Sequence, residues 1–97
     1  MIPVFGISQI NLDSLWLVWQ DEAKLESVRL AAIDKFIWNG YLFSQPDSAF
    51  YFAQLQYDFA EINGIQLEMA SALNIQGISF AIKGDFDKAV NYYEKSL

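Results

Sequence analysis

Ala72-Leu-Asn-Ile-Gln-Gly77-Ile-Ser-Phe80-Ala-Ile-Lys-Gly84-Asp85-Phe-Asp-Lys-Ala89-Val-Asn-Tyr-Tyr93-Glu-Lys-Ser96-Leu97 is the stretch that decides the fold. Its apolar residues recur at helical spacing, break at Lys83-Gly84 and resume after Asp85, a favourable helix N-cap. The spacing predicts the end of one helix, a tight turn, and a second helix running to Leu97. The same punctuation divides the rest of the chain. A first helix is predicted over Leu12 to Gln20, capped by Asn11 or Asp13, followed by a polar connector through Glu26. A second begins near Ser27 and continues to Phe43, which makes Gly40 an interior glycine at a cost of about 1 kcal/mol relative to alanine. Ser44-Gln-Pro-Asp47 predicts the next start, with Ser44 as cap, Pro46 in the first turn and an acid at the N-terminus. That third helix is closed at Ile62 by Asn63-Gly64, and a fourth spans Gln66 to Ile82. Five helices and no credible strand place the chain in the all-α class.

The decisive stretch has an echo upstream. Phe36-Ile-Trp-Asn-Gly40-Tyr-Leu-Phe43 lies over Leu73-Asn-Ile-Gln-Gly77-Ile-Ser-Phe80 at a constant shift of 37 residues. Ala49, Phe52 and Ala53 then lie over Ala89, Tyr92 and Tyr93 at a shift of 40, the difference being a longer second turn. A repeat of this length predicts two antiparallel helix pairs. In each, a glycine (Gly40, Gly77) admits the facing helix at an alanine (Ala49, Ala89), and aromatics (Phe43, Phe80, Tyr93) fill the space around the crossing. The expected layout is an N-terminal segment with a capping helix over 1–26, then helix pairs over 27–64 and 65–97.

The pattern Gly77, Phe80, Gly84-Asp85-Phe86, Lys88-Ala89, Tyr93 and Ser96 resembles a tetratricopeptide repeat, and Leu30 to Ile62 resembles a divergent copy. Together they cover about two-thirds of the chain. Gln76, where leucine is usual, and Trp38-Asn39 depart from the pattern. The resemblance implies a right-handed α-solenoid fragment of antiparallel helix–turn–helix units, and a role in protein–protein interaction. It implies an inward face carrying Trp38, Tyr41, Asn74, Ile78 and Ala81, on which a partner peptide or helix would dock. Ile78 and Ile82 stand where a carboxylate-clamping face would need polar groups, so an apolar or aromatic partner fits better. Tyr41-Leu-Phe-Ser-Gln-Pro-Asp-Ser48 also looks like the repeat-bearing sensory regions of some bacterial adenylate cyclases and histidine kinases. That likeness implies a regulatory piece of a bacterial signalling protein, in cytoplasm or periplasm. A third reading is a self-assembling structural unit.

Composition narrows the chemistry. The 97 residues carry six Lys+Arg and twelve Asp+Glu, a net charge of −6 without a basic run, so a phosphate-tracking nucleic-acid surface is not expected. There is no histidine and no cysteine, which removes thiol and imidazole catalysis, Cys/His metal sites and disulfides. No phosphate loop or nucleophile–base pair accompanies the carboxylates, so no enzyme and no cofactor is expected. Asp85-Phe-Asp87 opens like a calcium loop but lacks the later glycine and glutamate, and Asp21, Glu22 and Glu26 read as a solvated connector; no metal site is expected. No segment is apolar over the roughly 20 residues of a membrane helix. Met1 to Ile7 is apolar but too short, and too poor in basic residues, for a signal peptide.

The many aromatics of the third helix, and Trp16 and Trp19 of the first, are expected in the core. At the other end Val90, Tyr93 and Leu97 form an apolar stripe with no covering helix. Each such side chain is worth about 1.5–3 kcal/mol when fully buried. The stripe is therefore expected to be covered by a second copy of the chain, as a homodimer, or by downstream sequence.

Overall fold

The computed structural model describes residues 11–97; the expectation for Met1 to Ile7 lies outside them. Among the described residues five helices follow one another: α1 (Leu12–Gln20), α2 (Glu26–Gly40), α3 (Pro46–Ile62), α4 (Gln66–Ile82) and α5 (Phe86–Ser96). Consecutive helices pack together, most extensively α3 with α4 and α4 with α5, giving an antiparallel stack of 50 × 32 × 18 Å. No strand occurs among the described residues. The chain is an elongated all-α stack of helical-repeat type.

Local chemistry explains most boundaries. Asn11 and Asp85 cap α1 and α5, accepting the backbone N–H groups of Ser14 and Lys88 at 3.1 and 3.2 Å. Gly64 (φ 68°) and Gly84 (φ 85°) end α3 and α4 in the left-handed conformation that other residues resist. Trp19, Leu30, Ile33, Ile37, Leu42 and Ile75 make the centre of the core. The helix α3 runs through it on a narrow spine, with Ala49, Ala53, Gln56 and Ala60 buried at successive turns. Small side chains there bring α2 and α4 close to the α3 backbone. Trp16 and Trp19 pack on aromatic rings of α2 and α3, as expected of core residues: Trp16 lies 5.0 Å from Phe36 and 5.6 Å from Phe52, and Trp19 lies 5.2 Å from Phe59.

Four expectations need correction, all around the turn between α2 and α3. The helix α2 stops at Gly40 instead of continuing to Phe43: the N–H groups of Tyr41 and Leu42 both bond to the Ile37 carbonyl, at 3.0 and 2.9 Å. This wound-up end drops Leu42 into the core and leaves Phe43 68% exposed, so Phe43 does not fill the crossing. Ser44 is not the cap of α3; Gln45 holds that position without a side-chain bond, Pro46 opens the helix, and Asp47 pairs with Lys83, the residue that follows α4. Finally, the atoms nearest a Cβ on Gly40 belong to Leu12 of α1, at 2.8–3.4 Å, and not to Ala49. Gly77 does meet its expected partner: a Cβ there would lie 2.6 Å from the Tyr93 ring and 3.2 Å from the Ala89 carbonyl oxygen. The two glycines share a repeat register, yet one accommodates the preceding helix and the other the following one.

Candidate functional site

The five residues assigned to the inward face divide among three environments. Tyr41 packs into the aromatic cluster of the first three helices, 5.0 Å from both Phe36 and Phe52. With Leu12, Asp13, Trp16 and Leu17 they line an open depression of about 510 Å³. Trp38 instead leans on Phe43 at 6.2 Å, a partly exposed aromatic pair at the end of α2. Asn74, Ile78 and Ala81 share one flank of α4; Asn74 is exposed, while Ile78 is half-buried against the core. The C-terminal set also divides, since Val90 and Leu97 are exposed whereas Tyr93 covers Gly77. Phe86, one turn before Val90, extends the stripe and was legible as its i−4 neighbour.

Two features carry no sequence expectation. The first is a buried amide. Gln56, fully enclosed on α3, donates through Nε2 to Asp34 of α2 at 3.1 Å and to Glu68 of α4 at 3.3 Å, tying three helices together. Its Oε1 is buried without a partner. Burial raises the Asp34 carboxyl above its ordinary range, and the Gln56 hydrogen bond partly opposes that shift. Gln76 acts similarly in the next layer of the stack, donating to Gln54 Oε1 at 3.0 Å and to the Phe50 carbonyl at 3.4 Å. This accounts for an amide where the repeat pattern has leucine.

The second feature is a cluster of Phe50, Phe80 and Tyr92, with ring centroids 5.3–5.6 Å apart. Three lysines surround it. Lys83 and Lys88 lie 5.2 and 5.5 Å from the Phe80 ring, and Lys95 lies 4.5 Å from Tyr92. Half of the six cations of an acidic chain thus gather around this cluster, and two of them, Lys88 and Lys95, line a depression of about 600 Å³ that Glu94 also borders. Of Asp85 and Asp87, the pair resembling a calcium loop, Asp85 serves as the α5 cap.

These arrangements present apolar, amide and charged surface; among the described residues no three acidic side chains converge as metal ligands. No described helix is long and apolar enough to cross a membrane. No family model matches the chain, and no curated protein and no solved structure shows significant similarity to it.

Proposed function

We propose that this chain is a non-catalytic interaction module of tetratricopeptide type, binding a partner peptide or helix. The observation that carries the reading is large apolar side chains held out to solvent on packed helices and their turns, at Trp38 and Phe43 by the first pair and at Leu67, Phe86 and Val90 on the last. Exposed apolar surface on a packed scaffold marks a place where another chain is buried. The partner meets the α2–α4 face through Trp38, Asn74, Ile78 and Ala81, with Tyr41 fixing the turn behind them, or the C-terminal end through Val90, Tyr93 and Leu97. A photo-crosslinking residue at position 78 tests this: it should capture one discrete partner, and Trp38→Ala/Asn74→Ala should lose the adduct. An adduct unaffected by that double variant and by Val90→Asp would remove the reading.

A second reading, a ligand-sensing region of a longer bacterial signalling protein, draws on the apolar depression between Trp16, Phe36, Tyr41 and Phe52. Quenching of Trp16 fluorescence by a small apolar ligand, lost in Phe52→Trp, would favour it over the first.

A further inference from the structure

The surface of the α4–α5 pair is divided by charge as well as by polarity. At about 100° per residue, Phe86, Val90, Tyr93 and Leu97 fall within one arc of α5 roughly 60° wide, displaced to one side of the buried Ala89. On α4, Leu67, Ile78, Ala81 and Ile82 occupy an arc displaced in the same rotational sense from Gly77. In an antiparallel pair, arcs so displaced open on the same side, and Gly77 beneath Tyr93 pins the two helices in that register. The result is a shallow apolar groove: Leu67 is 78% exposed, Ile82 40%, Phe86 66% and Val90 52%.

The charged residues then specify what fits. Asp87 and Glu94, exposed and seven residues apart, border the groove on its solvent edge, about 10.5 Å from each other along the axis. Of the lysines of this region, Lys83 pairs with Asp47, while Lys88 and Lys95 line the depression beside Phe80 and Tyr92, which Glu94 also borders from the groove side. A second copy is disfavoured as the occupant. Laid antiparallel about a two-fold axis, it would set its own Asp87 and Glu94 against these, on a chain already at −6.

We propose that this groove receives an amphipathic helix of a partner protein, one whose apolar stripe is flanked by lysine or arginine residues seven apart. The inference rests on the interaction-module reading and names the surface and the partner's chemistry. The probe is a synthetic helix with a leucine stripe and two flanking lysines at that spacing, titrated calorimetrically into the full chain beside an otherwise identical peptide carrying glutamates. The lysine peptide should bind about ten-fold more tightly, and the preference should shrink with added salt. Asp87→Lys/Glu94→Lys should invert it, Glu94→Gln alone should halve its logarithm, and Val90→Asp should abolish binding, with helix content unchanged by circular dichroism. Glu22→Lys/Glu26→Lys, the same change of charge at the far end, should leave the preference intact. Equal affinity for both peptides, no binding of either, or a preference governed by Glu22 and Glu26 would overturn the proposal. So would a dimer in sedimentation that Val90→Asp dissolves, since the second copy would then be the occupant. Position-78 crosslinking that persists through such a failure would leave the interaction-module reading standing.

Discussion

Gly40 and Gly77 should respond differently to the same substitution, although they occupy equivalent positions in the sequence repeat. A methyl group on Gly77 would lie 2.6 and 2.7 Å from two Tyr93 ring carbons and 3.2 Å from the Ala89 carbonyl oxygen. A ring held against α4 and a backbone atom cannot both retreat cheaply, and overpacking of this kind costs about 1–3 kcal/mol. Removing a mid-helix glycine returns about 1 kcal/mol, so Gly77→Ala should lose roughly 1 kcal/mol net. In a domain of this size that lowers Tm by about 4–8 °C. At Gly40 the contacts are the terminal methyl carbons of Leu12, at 2.8 and 3.0 Å, on a flexible side chain near the start of α1. They can rotate away, and the helix ends at Gly40, so Gly40→Ala should change stability by no more than about 0.5 kcal/mol. Urea titrations of both variants, with unchanged m-values, measure the difference. A double-mutant cycle adding Tyr93→Leu should recover most of the Gly77→Ala loss. Equal effects at the two glycines, a stabilising Gly77→Ala, or a cycle without coupling would refute the packing argument.

The buried amide gives a second test: Gln56→Ala should cost about 2–4 kcal/mol through the cavity it leaves, whereas Gln56→Met, similar in shape and without the orphan acceptor, should cost under about 1.5 kcal/mol by chemical denaturation. Asp34 supplies a pH signature. Its carboxyl is raised in the folded state, so the stability it contributes is complete below its ordinary value of 3.8 and is lost as pH rises through the raised folded value. Asp34→Asn, which keeps an acceptor for Gln56, should therefore be the more stable protein at pH 7, with the advantage vanishing at pH 3; a constant difference between the two would contradict this. Trp19 is buried against Phe59, and its carbonyl accepts the Arg29 Nε–H at 2.8 Å. Trp19→Ala should lower the unfolding free energy by about 3–5 kcal/mol, read from the denaturation midpoint.

Helix number, order and most ends could be read from residues acting locally. Asn11, Asp85, Gly64 and Gly84 do their work within a turn of where they stand. The α2–α3 turn escaped because Leu42 and Phe43 are both apolar, and only tertiary packing decides which goes inward. For the same reason the repeat register aligned Gly40 with Gly77 without revealing that one faces α1 and the other α5. The candidate surfaces divide likewise. Val90 and Leu97 follow from helical spacing alone, and the exposed flank of α4 could be placed from Asn74 and Ile78. Gln56 lies in a series of alanines whose spacing marks a seam, but its bonds to Asp34 and Glu68 cross 22 and 12 residues and have no local signature. The lysine cluster around Phe80 and Tyr92 is similarly assembled from two helices and the turn between them.

How the last two helices meet decides the fold and the surfaces built on it. Nuclear Overhauser contacts in isotopically labelled protein measure this directly. Strong contacts between the Gly77 α-protons and the Tyr93 ring, together with contacts from Gly40 to the Leu12 methyls, are the expected result. Gly77 contacts to residues outside α5, or Gly40 contacts to Ala49 with none to Leu12, would contradict it.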